Sequence, residues 1–306
     1  MKAIQILKKK GRPIIASIPI PKRAPNEVLV QVHYTPIHPA DLATTLGAYL
    51  EKPIPSIFGL EGSGIIVEAP QQDLIGKPVM FYSKTGCWSE YTIPTVYSLI
   101  PEGISLEKAS LLSVNPLTAL SMRRLTQGKS YIINAANSSL GLMLLRITKD
   151  QNPMCIVRSL SAKNEILKYG IFRIAEATNV EFKGFLDFEK DRNPCYVGFD
   201  FVGGQMTLEL LKYIGYGGTL YIEGNMSGEN INNLDSKEFI FNRKRILGFH
   251  LNTFLENAKT DYKEICEIPS QFESKIVEVF KAEDYNQAMS KYLKAMSKGK
   301  ILLKFN

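Results

Sequence analysis

The segment 131–159, YIINAANSSLGLMLLRITKDQNPMCIVRS, limits the fold more than any other part of the chain. Tyr131, Ile132 and Ile133 make a short apolar run, residues 134–139 supply turn chemistry, and residues 140–147 are apolar enough for a buried helix ending near Lys149. A second apolar run, 154–157, stops at Arg158. Strand, tight polar turn, helix and strand in that order form the first half of a dinucleotide-binding unit. At the tip of its second strand an acidic residue binds the ribose 2′-hydroxyl of NAD, whereas an Arg nearby accommodates the 2′-phosphate of NADP. Arg158 therefore points to NADPH.

The glycine fingerprint of such a loop is G-x-G-x-x-G, each glycine permitting a tight turn or a close backbone approach to the pyrophosphate. Here only Gly141 is present, after Ala136, Asn137, Ser138 and Ser139. By itself the loop suits a cofactor site and an ordinary strand–helix turn with a polar N-cap equally well.

Proline usage divides the chain. Thirteen of the 16 prolines lie at or before Pro116, and proline is excluded from helix interiors and central strands, so the first part reads as an irregular, turn-rich β domain. Within it, 27–34 (EVLVQVHY) alternates as a half-buried strand does, and 59–67 and 77–82 read as further strands. Between them, 35–49 (TPIHPADLATTLGAY) is a loop with a short helix ending at Gly47, and its polar and aromatic groups suggest a site. After Pro116 strands and helices alternate. Residues 165–169 are expected to continue a helix and 205–213 to form another, with strands at 196–201, 219–222 and 245–251. Such alternation makes a parallel sheet covered on both faces, with ligands at the carboxyl ends of its strands. The tail 285–305 holds a helix and a last strand, 301–305, that returns to the first domain.

A length of 306 residues suits two domains, and 45% hydrophobic with 22% charged residues describes a globular chain. No apolar run approaches the roughly 18 residues of a membrane span, and the first residues, MKAI, enter a strand pattern without a signal peptide. The four cysteines, at 87, 155, 195 and 266, have no C-x-x-C spacing, which argues against a disulfide framework and a zinc knuckle and for a reducing, intracellular compartment. The net charge of +7 suits acidic partners such as phosphorylated cofactors or acyl thioesters. Its clusters, Lys8-Lys9-Lys10 and Arg243-Lys244-Arg245, read as solvated turns, and no nucleic-acid motif is present.

Taken together, HPADLATTLGAY, FGLEGSGIIVE, CWSEY, VNPLTA, NAANSSLG, CIVRS, FDFVGG, GGTLYIEGNMSGE, RILGFHL and GKILLKF, in this order, give the chain an end-to-end resemblance to the medium-chain dehydrogenase/reductase superfamily. The branch it resembles is the zinc-free one of quinone oxidoreductases and 2-enoyl thioester reductases. The resemblance implies an α/β chain: a GroES-like catalytic domain from 1–115 with 255–306, and a doubly wound Rossmann domain binding NADPH at 116–254. It also implies that NAANSSLG is a variant cofactor loop, with Asn137, Ser138 and Gly141 at the pyrophosphate and Arg158 at the 2′-phosphate.

Zinc-dependent members carry Cys in the loop after the 27–34 strand and His within G-H-E. This chain has His38 near the first position and Gly59-Leu60-Glu61 at the second. Leucine cannot ligate zinc, so no metal is expected and a hydroxyl donor takes over the electrophilic role. The resemblance assigns it to Tyr49, in the context Gly47-Ala48-Tyr49. A phenol, pKa about 10 when unperturbed, can hydrogen-bond a developing enolate and supply its proton. Asn115 and Thr118 correspond to positions near the nicotinamide, although helix capping is an equal reading. Phe249 and Leu251 correspond to pocket walls, which core packing explains as well. His38 departs from the N-P-S-D of enoyl reductases and reads as a packing or turn residue.

The implied activity is reduction of trans-2-enoyl thioesters of coenzyme A or acyl carrier protein. A quinone or enal reductase on the same scaffold is the alternative, and a non-catalytic subunit of a larger assembly is a third reading. A homodimer through the edge of the nucleotide-binding sheet is implied, in the mitochondrial matrix or the cytoplasm.

Overall fold

The computed structural model describes residues 1–8, 11–45, 53–177, 182–295 and 298–306. Two compact units divide the chain: Met1–Leu117 with Leu255–Asn306, and Thr118–Phe254.

The first unit is built from strands β1 (Lys2–Ile6), β2 (Ile14–Ser17), β3 (Leu29–Pro36), β4 (Ser56–Ile57), β5 (Glu61–Glu68), β6 (Pro78–Tyr82), β7 (Tyr91–Thr92) and β8 (Val96–Leu99). Helix α1 (Pro39–Thr45) follows β3, and α2 (Leu106–Ala109) precedes α3 (Val114–Thr126). β2, β1 and β4 form one small antiparallel sheet. β3, β5, β6 and β8 pair antiparallel in a second. Val28, Val30 and Val32 come from one face of β3 and its approach, and pack with Ile66, Val79, Phe81 and Cys87, as the alternation of residues along a strand dictates. Gly59 turns the chain into β5 with φ +84°, and a Cβ there would lie 2.2 Å from Cδ1 of buried Trp88. Only glycine permits this turn against the indole.

In the second unit β9 (Tyr131–Ile133), α4 (Ser139–Thr148), β10 (Met154–Val157), α5 (Leu160–Leu167), β11 (Ile174–Glu176), α6 (Phe182–Arg192), β12 (Cys195–Asp200), α7 (Gln205–Tyr213), β13 (Ile214–Ile222), α8 (Ser236–Ile240) and β14 (Arg245–Gly248) alternate. The strands pair in parallel in the order β11-β10-β9-β12-β13-β14. The order reverses between β9 and β12, which is the switch point where the carboxyl ends of a doubly wound sheet open a crevice. Ile132, Met154, Leu186, Leu210, Ile214 and Leu220 belong to one buried cluster.

The chain then returns to the first unit through α9 (Ala258–Glu267), β15 (Ile276–Lys281), α10 (Tyr285–Ala295) and β16 (Lys300–Lys304). β16 pairs with β3, placing Leu302 opposite Pro36. Tyr285, Ala288 and Tyr292 of α10 pack with Ile4, Ile37, Trp88 and Ile301.

Three local expectations need correction. The helix expected to continue through 165–169 runs from Leu160, where Ser159 caps it by accepting from the N–H of Ala162 (3.3 Å), but it ends at Leu167, short of Tyr169. The strand expected at 245–251 stops at Gly248, and a 3₁₀ helix opens at Leu251. Here the carbonyl of His250 accepts from the N–H of Thr253 and its Nδ1 from that of Asn252, so local turn bonds replace the ladder. Lys244, expected on a solvated turn, is buried: its Nζ lies 2.6 Å from Glu238 and donates to the carbonyl of Leu211 at 2.7 Å. Among the described residues no helix is long and apolar enough to cross a membrane.

Candidate functional site

In the second unit, Ser138 is the N-cap of α4: its backbone is extended and its Oγ accepts from the N–H of Gly141 at 3.0 Å. A Cβ on Gly141 would lie 2.5 Å from the carbonyl oxygen of Ala136. The one glycine kept from the fingerprint is thus the one that lets the helix start hard against its own loop. Asn137 and Ser138 are half-buried beside it. The first N–H groups of a helix and its dipole favour an anion, so this terminus fits a pyrophosphate.

A buried knot of hydrogen bonds fastens the strand ends at the switch point. Asn134, directly after β9, donates from Nδ2 to Oδ1 of Asp200 at 2.5 Å and accepts from the N–H of Phe201 at 2.7 Å. The same Asp200 oxygen accepts from the N–H groups of Val202 and Gly203, both at 2.9 Å, and Oδ2 accepts from the hydroxyl of Thr207 at 2.5 Å. The carboxylate is fully buried and is satisfied by four donors, none of them cationic. It thereby pins the ends of two neighbouring strands and the start of α7. Sequence reasoning misses Asn134 and Asp200. Their signal is a polar residue ending each of two apolar strands.

Arg158 is exposed directly after β10. Phe249 is buried just beyond β14, where its N–H donates to the carbonyl of Ile222 at 2.8 Å and its ring stacks on Phe254 at 4.9 Å. Leu251 is half-buried at the start of the 3₁₀ helix. Because the strands are parallel, Asn137, Ser138, Gly141, Arg158, Phe249 and Leu251 all follow carboxyl ends of one sheet. Asn115 and Thr118 are elsewhere, both buried and three residues apart on one face of α3.

In the first unit the polar centre is Glu61, at the start of β5 and 1% exposed. Its Oε1 lies 2.7 Å from Nε2 of His38, and its Oε2 accepts from the N–H groups of Ser113 (3.0 Å) and Val114 (2.6 Å). Nζ of Lys300 lies 3.3 Å from Nδ1 of His38. Asp41 accepts from the N–H of His38 at 2.8 Å and of Gly59 at 3.1 Å. Burial, and then the Asp41 charge, raise the phenol of Tyr292 above its ordinary range. His38, expected to be a packing or turn residue, is instead bonded at both ring nitrogens. Its partners Glu61 and Lys300 escape sequence reasoning, since they lie 23 and 262 residues away in the chain. Tyr49 lies outside the described residues. Among the described residues no group of three or more His, Cys, Asp or Glu side chains could hold a metal ion.

Residues 24–100 match the alcohol dehydrogenase GroES-like domain. The chain is 26% identical to the mitochondrial enoyl-[acyl-carrier-protein] reductase of Xenopus tropicalis, over 86% of this chain and 81% of that one. It is 27% identical to quinone oxidoreductase-like protein 2 of Rattus norvegicus, over 91% and 85% of the two. The fold matches that of Escherichia coli quinone oxidoreductase complexed with NADPH, with a TM-score of 0.84, 17% identity and all of both chains covered. The GroES-like match in the first unit, the parallel doubly wound sheet of the second and these relatives agree, and the chain is similar throughout to oxidoreductases of the enoyl reductase and quinone oxidoreductase type.

Proposed function

We propose that this chain is an NADPH-dependent reductase of activated carbon–carbon double bonds, acting on trans-2-enoyl thioesters of coenzyme A or acyl carrier protein. The observation that carries the reading is the carboxyl edge of the parallel sheet, where a serine-capped helix with glycine in its first turn and an exposed arginine follow adjacent strands. Asn137, Ser138 and the N–H groups at the start of α4 would hold the pyrophosphate, and Arg158 the 2′-phosphate. Phe249, Leu251, Asn115 and Thr118 would line the nicotinamide end. The bound cofactor supplies a hydride to the β-carbon of the substrate. Tyr49 donates a hydrogen bond to the carbonyl oxygen, where negative charge collects, and provides the proton that ends on the α-carbon. Such a donor is worth roughly 2.7 to 4 kcal/mol of barrier.

The name of the amphibian relative supports the thioester substrate and a mitochondrial location; that of the rat relative supports the second reading, a quinone or enal reductase. A homodimer is part of the proposal. β14 pairs only with β13 among the described strands and exposes Leu247 at its edge, a surface that a second copy would extend.

The test measures NADPH oxidation with a short trans-2-enoyl thioester and with a quinone, for wild type and Tyr49→Phe. The proposal expects thioester turnover to fall about 100-fold in the variant, with quinone turnover less affected. Undiminished thioester reduction by Tyr49→Phe would remove the tyrosine from the mechanism. Absence of NADPH binding to the wild type would favour a non-catalytic subunit instead.

A further inference from the structure

Lys300, His38 and Glu61 form a buried chain of three ionisable groups, with exposures of 6, 3 and 1%. Its protonation follows from donor counting. An ammonium has three donors and no lone pair, so Nδ1 of His38 must accept from Lys300. The ring proton then sits on Nε2 and is donated to Oε1 of Glu61 at 2.7 Å. The second oxygen of Glu61 is fully used by the N–H groups of Ser113 and Val114. Among the described residues, ionisable groups beside this chain include Asp41, on the backbone of His38, and the phenol of Tyr262, which donates to Oγ of Ser113 at 2.8 Å.

The chain of bonds joins pieces that are far apart in sequence. His38 precedes α1, Tyr49 follows that helix in the sequence, and Val114 opens the helix that carries Asn115. Because the imidazole needs one acceptor and one donor at fixed places, it holds the start of α1 against Glu61 and, through the carboxylate, against the first turn of α3. A residue that only filled space would leave Lys300 and Glu61 facing an apolar group, at the cost of burying both without that bridge.

We propose that His38, as the Nε2–H tautomer between Lys300 and Glu61, is a positioning residue for the reductase. It sets the start of α1 relative to the first turn of α3 and touches neither substrate nor cofactor. This rests on the proposed reductase function. A misplacement of about 1 Å at a reacting group costs up to roughly 100-fold in rate, so the effect belongs in kcat rather than in cofactor binding.

The test has one arm that does not depend on activity. The full chain, labelled with nitrogen-15 in its imidazoles, is studied by two-bond nitrogen–proton correlation, and the His38 signals are assigned with His38→Leu. The expected result is an Nε2–H tautomer at neutral pH; an Nδ1–H tautomer or an imidazolium would overturn the proposal. In the second arm, kcat for whichever acceptor the wild type reduces should fall about 10- to 100-fold in His38→Leu, with the Kd for NADPH within about 2-fold. His38→Asn, which keeps one donor and one acceptor, should recover most of the rate. Unchanged kcat in His38→Leu, parallel loss of kcat and NADPH affinity, or no recovery in His38→Asn would each overturn it. Failure of the wild type to reduce any thioester would instead count against the proposed substrate, and the tautomer would then decide the role of His38 by itself.

Discussion

Each unit of the molecule buries a carboxylate at the place where its polar residues converge, and the two are compensated differently. Asp200 is neutralised by geometry alone: an amide, two backbone N–H groups and a hydroxyl. Glu61 receives two backbone N–H groups and then an imidazole that passes the charge on to Lys300. A carboxylate satisfied by neutral dipoles is a static fastening, suited to fixing the ends of neighbouring strands. A carboxylate whose compensation runs through an imidazole to a cation is sensitive to where each proton sits.

That contrast can be broken by the smallest possible change, a carboxylate to an amide. In Asp200→Asn the carbonyl oxygen keeps its three donors, and the new NH₂ faces the Thr207 hydroxyl, which can accept as readily as donate. The expected loss of stability is under about 1 kcal/mol. In Glu61→Gln every arrangement meets a conflict. If the NH₂ faces His38, the ring must turn its lone pair to Nε2 and its proton to Nδ1, against the ammonium of Lys300. If it faces α3, it meets the N–H groups of Ser113 and Val114. The expected loss is about 3 kcal/mol, as for a buried pair broken on one side. Denaturant unfolding of the two variants checks this, and equal losses would erase the distinction between the units.

A smaller effect separates the units by cofactor. Arg158→Glu should weaken NADPH binding by about 10- to 100-fold, the loss of one charge-assisted contact, while NADH binding and the His38 tautomer stay unchanged. Calorimetric titration with both cofactors reads this directly. A uniform loss for the two cofactors would remove Arg158 from the 2′-phosphate.

The smallest effect lies in the pH dependence of the first unit. Burial, and then the nearby charge of Lys304, lower the pKa of His33. The unfolded chain therefore binds this proton more tightly than the folded one. The resulting contribution is present above the ordinary histidine value near 6.5 and is lost as pH falls below it toward the folded value. His33→Gln should flatten the fall in melting temperature between neutral and mildly acidic pH. An unaltered slope would assign that fall to other groups.

The second unit is the more legible in the sequence, for a physical reason. Its first two strands are short, apolar and buried on both faces, so the runs 131–133 and 154–157 announce them, and the helix 205–213 carries its own period. The loop 134–141 keeps one glycine of three, and Gly141 proves to sit where a Cβ would strike a backbone carbonyl. Less is visible where bonds join distant segments. In the sequence Glu61 is only part of a would-be metal motif, and Lys300 only the start of a closing strand, because no local pattern records a bond across 262 residues. His38 stands out as an unusual residue, but its neighbours in sequence do not contain the groups that explain it. The edge of β14 fails in the opposite way: the apolar run through Phe249 and Leu251 continues past the ladder, and the turn bonds of His250 end it.

The central claim, hydride delivery from NADPH to an activated double bond, is tested most directly by following the hydride. The wild-type chain is incubated with a short trans-2-enoyl thioester and NADPH deuterated at the transferable position, and the product is analysed by mass spectrometry and NMR. The account predicts a saturated thioester with one deuterium at the β-carbon. Recovery of unreduced thioester, or of a saturated product without deuterium at that carbon, would contradict it.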